Sequence, residues 1–254
     1  MLSTPDPTLR PSRGQVAPAR LPLTPSPLNL DLMLPDLPQT EIAVVEMTNT
    51  FRKANALQEV KPNAVLGAAA RAFADYLART GKFAHDADGR QPAARAQAQG
   101  YSYCLVAENL AWNLNSRGFE SRELARVFVE GWKASPGHRE NLLLRDATDI
   151  GIAVARVPDK NPKYLSVQLF GRPDSLKVTF TIQNQASKAV YYTLGTETDL
   201  LHPRETATHS DCQPRVLSVD RGLQGPARFD PHTGDHFVIR SGADRSIEVG
   251  VERK

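Results

Sequence analysis

The sequence predicts an α+β fold in which a helix-rich block is followed by a strand-rich one. Helical spacing of apolar residues dominates from Thr40 to Trp132, and two strand-like runs follow, "TDIGIAVARV" and "KYLSVQLFG". From Pro173 onward short alternating runs separated by Gly, Pro and Asp take over. That order fits helices packed on a sheet better than alternating βαβ units. It divides the chain into a Pro-rich leader (1–39), an α+β domain (40–172) and a small all-β part (173–254).

The leader, "MLSTPDPTLRPSRGQVAPARLPLTPSPLNLDLMLPDLPQ", is crowded with proline. Each Pro removes an amide donor and disfavours helix in the residue before it, so an extended, mostly disordered segment is expected. Its end, "LNLDLMLPDLP", is apolar enough to pack on the body as a strap. "TEIAVVEMTNTFRKAN" starts with Thr40 as a cap and carries Ile42, Val44, Val45, Thr48 and Phe51 at helical spacings. In "PNAVLGAAARAFADYLARTG", Asn63 caps a helix, Val65, Ala69, Phe73 and Tyr76 share a face, and Gly81 stops it. "DGRQPAARAQAQG" reads as a short helix ending at Gly100.

"SRELARVFVEGWKA" starts at Ser121 and lines up Leu124, Val127, Phe128, Gly131 and Trp132. Ser135 and Pro136 then read as the cap and first residue of another helix, with His138 at its third position. The turn-prone "PDKNP" joins the two strands of the first block. In the last block "LKVTFTIQN", "VYYTLG", "PRVLSV", "HFVIRS" and "SIEVGVER" read as strands of a sandwich or half-barrel.

A net charge of +3, 41% hydrophobic and 23% charged residues describe an ordinary globular chain. No basic run with interleaved aromatics points to nucleic acid, and no apolar run is long enough to span a bilayer. Residues 1–39 show no charged n-region followed by an apolar h-region, so no secretory signal is visible. Cys104 and Cys212 read most simply as two unrelated small core residues; in an oxidising compartment they could form one disulfide.

Three stretches carry residues fit for chemistry: "GKFAHDADGR" with His85, "YCLVAENLAWN" with Glu108 and Asn109, and "GWKASPGHRENLL" with Trp132, Ser135, His138 and Asn141. Two imidazoles and a carboxylate are the protein ligands of one class of catalytic zinc site. The spacing is not that of a local motif, so the fold would have to assemble it. A structural polar cluster explains the same residues, with Glu108 and Asn109 closing turns onto the backbone. There is no G-x-S-x-G, phosphate-cradling glycine loop or H-E-x-x-H. His232, Asp235 and His236 in "FDPHTGDHFVIR" read as decoration of a hairpin turn.

At these residues the sequence resembles the CAP superfamily of cysteine-rich secretory, antigen 5 and pathogenesis-related proteins, in its bacterial SCP-like form. The likeness runs from about Glu41 to Gly171. Its elements come in family order: "TNTFRKANAL", "PNAVLGAAARAFADYLARTGKFAH", "DGRQPAARAQAQGYSY", "AENLA", "VFVEGWKASPGHRENLL", "DIGIAVA" and "YLSVQLFG".

The resemblance implies an α-β-α sandwich with a central cleft carrying two His and two Glu. His85, Glu108 and His138 match three of these, while Ser135 stands where eukaryotic members have the second Glu. It implies a site for zinc or another divalent metal on the two histidines, partners such as lipid, sterol or a cell-envelope component, and a secreted, periplasmic or envelope location.

The missing carboxylate and the lack of a nucleophile favour a non-enzymatic binding module. The alternatives are a metal-dependent hydrolase with Glu108 as general base, and adhesion through the C-terminal β part. With one Cys in the family portion, stability is expected to rest on the apolar helix faces, anchored by Phe73 and Trp132.

Overall fold

A computed structural model describes residues 33–213, 215–242 and 246–253. The expected leader lies outside the described residues up to position 32. The end of the expected strap is held on the body: Met33 bridges to Gly118, and the Asp36 amide donates to the Ser121 hydroxyl.

Helix α1 (Leu37–Ala54) begins before the expected start. Asp36 is its cap, its carboxylate accepting from the Gln39 amide, and a proline sits in the first turn. Thr40 is instead buried inside the helix, its hydroxyl donating to the Asp36 carbonyl. Ile42, placed among the apolar residues at helical spacing, is half exposed.

A two-residue strand β1 (Lys61–Pro62) leads to α2 (Ala64–Thr80), capped by Asn63 as expected and ended by left-handed Gly81. Its buried stripe is Leu66, Ala69, Ala70, Phe73, Ala74 and Leu77, with Val65 and Tyr76 at the rim. Helix α3 (Pro92–Ala98) comes next.

The element after α3 departs from the expected order. Strand β2 (Tyr103–Leu114) lies between α3 and α4, so Glu108 and Asn109 sit mid-strand and close no turn. Helix α4 (Ser121–Ala134) buries Leu124, Phe128 and Trp132, leaves Val127 part-buried, and exposes Gly131. Its cap is Glu120, because the Ser121 side chain is occupied by the Asp36 amide. Helix α5 (Pro136–Leu142) starts from Ser135 in cap geometry, without a side-chain capping bond. Strands β3 (Asp149–Val157) and β4 (Lys163–Pro173) form the expected hairpin.

These strands make one sheet in the order β1-β3-β4-β2, with β2 at an edge. Its alternation sorts two cores. Ile150, Val154, Tyr164 and Phe170 face α1, α4 and α5, with Phe128 and Trp132. Ala153, Leu165, Val167 and Leu169 face α2, with Leu66 and Phe73. The helix layer lies very close to the sheet at Gly151, where a Cβ would stand 2.3 Å from the Leu66 carbonyl carbon. This is the expected α-β-α sandwich.

After a 3-10 turn (Asp174–Leu176) come β5 (Val178–Asn184), β6 (Val190–Leu194), β7 (Glu197–Leu201), β8 (Thr206–Asp211), β9 (Leu217–Val219), β10 (Ala227–Phe229), β11 (Asp235–Ser241) and β12 (Ile247–Arg253). They form two four-stranded sheets, β10-β9-β6-β7 and β12-β11-β5-β8. Phe180, Ile182, Phe237 and Ile239 of one pack on Tyr192, Leu194, Leu217 and Val219 of the other. Strands β7, β8 and β10 were not anticipated, being short or mostly polar.

Cys104 in β2 and Cys212 just after β8 form a disulfide, with Cα atoms 5.5 Å apart. They are not unrelated core residues: the bridge ties the first sheet to the C-terminal sandwich. The expected turn decoration at 232–236 also changes. Asp235 is buried, accepting from the His232 amide and Arg253 Nε, and His236 pairs with Thr181.

Candidate functional site at the edge of the sheet

Because β2 is an edge strand, its outward carbonyls need partners. Two helices supply them. Trp132 Nε1 of α4 donates to the Leu110 carbonyl at 3.1 Å, and Asn141 Nδ2 of α5 donates to the Glu108 carbonyl at 3.0 Å. Asn141 also donates to Asn109 Oδ1, and Asn109 Nδ2 donates to the His138 carbonyl and to Gln168 Oε1. Gln168 Nε2 donates in turn to Thr48 of α1. Asn109, Gln168 and Thr48 are fully buried, so this chain of amides fixes α5, and with it His138, against the strand.

Arg52 holds the other end of α5. Its guanidinium, buried without a carboxylate partner among the described residues, donates to the carbonyls of Leu142 and Leu144 at 2.8 and 2.9 Å. It thus satisfies carbonyls at and just beyond the end of a short helix. Burial lowers its pKa.

On the opposite side of the strand Glu108 meets the layer of α2 and α3. Its Oε1 is 2.8 Å from His85 Nδ1 and its Oε2 is 2.8 Å from Arg95 Nη2. Arg95 also donates to Asp88 and to the carbonyls of His85 and Arg90, and its guanidinium lies 3.5 Å from the centre of the Phe73 ring. One arginine therefore holds both Glu108 and the turn that carries His85.

The Glu108 side chain is 1% exposed and that of His85 is 51% exposed. Burial pushes the Glu108 carboxyl up, against the pull of Arg95 and His85. Burial, and then a charge on nearby His85, pushes the His138 imidazole down. His85 thus meets Glu108 from the α2–α3 side of the edge strand, while α5 is tied to the same strand through the His138 carbonyl, which accepts from Asn109. Glu108 is committed to Arg95 and His85, and Ser135 is part-buried at the start of α5. Among the described residues, no group of three or more His, Cys, Asp or Glu is arranged to hold a metal ion.

Residues 45–170 match the family described as CAP, the cysteine-rich secretory protein family. The chain belongs to the CAP family.

Three bacterial proteins of known structure are similar. An outer surface protein from Borrelia burgdorferi is 25% identical, with a TM-score of 0.46 over 53% of this chain and 93% of that one. An extracellular SCP-domain protein from Bacillus anthracis is 24% identical (TM-score 0.44, 54% and 41%). A cysteine-rich secretory protein from Staphylococcus aureus is 23% identical (TM-score 0.42, 54% and 40%). The chain spans about two fifths of the latter two. No curated protein matches the sequence. Among the described residues no helix is long and apolar enough to cross a membrane.

Two residues of this CAP site escaped sequence reasoning. Arg95 sits in an alanine-rich helix and Arg52 near the end of α1, where a lone arginine looks like a solvated one. The local signal for Arg95 is its place ten residues after His85 in a segment with Asp88.

Proposed function

We propose that this CAP protein is a non-enzymatic extracytoplasmic binding module whose site is the cleft at the outer edge of β2. His85 and His138 form an open two-imidazole seat for zinc or another divalent metal. The observation that carries this reading is the engagement of both Glu108 oxygens. A general base needs a carboxylate free to take a proton from water, and here one oxygen is held in a buried pair with Arg95 and the other lies against His85.

The donor set suits a weak open site. Closed structural zinc sites use four protein ligands and catalytic ones three. Two imidazoles leave the remaining positions to water or a bound envelope component. Glu108 accepting from His85 Nδ1 orients that ring and leaves Nε2 for a metal, the familiar role of a carboxylate behind a ligating histidine. The lowered pKa of His138 keeps it neutral, the form that ligates. An oxidising location is supported by the Cys104–Cys212 bridge.

Calorimetric zinc titration tests the reading. Binding is expected in the unaltered protein, lost in His138→Ala and weakened roughly 10- to 100-fold in Glu108→Gln. No zinc binding, or equal binding after His138→Ala, removes the metal. Zinc-dependent cleavage of a peptide library, abolished by Glu108→Gln, would turn the reading to a hydrolase.

A further inference from the structure

A cavity of about 340 Å³, lined in part by Arg95, lies between α2, α3 and the turn after His85. Its apolar wall is Ala69, Ala72, Phe73, Tyr76 and Ala98, and its polar wall is Arg79, Arg90, Arg95, Asp88 and Gln99.

The charges on this wall do not balance. Asp88, its one carboxylate, accepts from Arg95 Nη1 at 2.8 Å and from the Arg90 amide. Arg95 is further neutralised by Glu108. Arg79 and Arg90 have no acidic partner within 4.0 Å among the described residues. Asp75, one turn before Arg79, pairs with Arg71 instead. Arg79 lies 5.9 Å from the centre of the Tyr76 ring. Both guanidinium groups belong to exposed residues, so they are available to a ligand. Arg95, 5% exposed, is by contrast committed to Asp88, Glu108 and the carbonyls of His85 and Arg90.

We propose that this cavity binds a small organic carboxylate, its anionic group held by Arg79 and Arg90 and its apolar body against Tyr76 and the alanine methyls. Guanidinium groups favour planar carboxylates because their paired N–H groups match the two oxygens. A cavity walled partly by Tyr76 and three alanines suits a body of roughly ring size, in the usual way of small-molecule sites. The site shares Arg95 with the β2-edge cleft but needs neither metal nor His138.

Benzoate is the probe, titrated into the metal-free full chain and followed by amide and Tyr76 ring chemical shifts. Binding is expected, with perturbations confined to α2, α3 and residues 85–91. Affinity is expected to fall by about tenfold or more in Arg79→Gln/Arg90→Gln. Both side chains are exposed, so the variant should fold, and its circular dichroism and melting midpoint verify that. Benzamide, the neutral isostere, is expected to bind far more weakly. No benzoate binding, equal binding of benzamide, or undiminished binding by the folded double variant would each overturn the proposal.

Discussion

Arg95 and Glu108 form an ion pair at 2.8 Å between α3 and β2, with 5% and 1% of their side chains exposed. The pair fixes more than itself, because Arg95 also donates to the His85 carbonyl and Glu108 faces His85 Nδ1. Removing one partner would leave an uncompensated buried charge. Arg95→Met is therefore expected to cost about 3–5 kcal/mol in urea unfolding, while Arg95→Met with Glu108→Leu should recover much of that loss. Equal losses in the single and double variants would contradict the pairing.

Trp132 joins core and site. It is 1% exposed, stacks on Phe128 at 6.1 Å and donates to the Leu110 carbonyl of the edge strand. Trp132→Ala should cost about 3–5 kcal/mol. Trp132→Phe keeps most of the packing but strips the carbonyl of its partner, so about 1–2 kcal/mol is expected. An unchanged melting midpoint in Trp132→Ala would remove Trp132 from the core.

The Cys104–Cys212 bridge closes a loop with a sequence separation of 108 residues, which in a chain-entropy account stabilises by roughly 4–5 kcal/mol. Cys104→Ser/Cys212→Ser should lower the urea midpoint accordingly, and reductant should lower the unaltered protein to match. Thiol labelling of the native, non-reduced chain should find no free cysteine; two labelled thiols would remove the bridge.

How legible this was in the sequence differs from element to element. Helix α2 declared itself because Asn63, a periodic apolar stripe and Gly81 agree. The start of α1 did not, since Asp36 with a proline in the first turn is a sound helix start hidden in a proline-crowded stretch. Strand β2 was missed at the point of interest: Glu108 and Asn109 put two polar residues in mid-strand, and their partners Arg95, Gln168 and Asn141 are distant in sequence. Local rules therefore saw turns where the fold has an edge strand. No local spacing encodes the contact of His85 with Glu108, and the grouping of His138 with them is implied by family resemblance alone.

Asp235 offers a pH-resolved check on the C-terminal sandwich. Although burial opposes its charge, hydrogen bonds from the His232 amide and Arg253, together with their charges, hold its pKa below the usual aspartate value. A lowered carboxylate pKa means the unfolded chain takes up the proton first as pH falls. Stability from Asp235 is thus fully present above the ordinary aspartate value, near pH 4, and is lost as pH drops through the lowered one.

Asp235→Asn removes the charge but keeps much of the shape, so it should destabilise by about 1–3 kcal/mol at pH 7. It should also flatten the acid limb of the stability curve below pH 4. The tie joins β11 to the end of β12, so hydrogen exchange should quicken first at Val251 and Glu252. If Asp235→Asn and the unaltered protein lose stability in parallel between pH 4 and pH 2, the Arg253 contact is not coupled to folding.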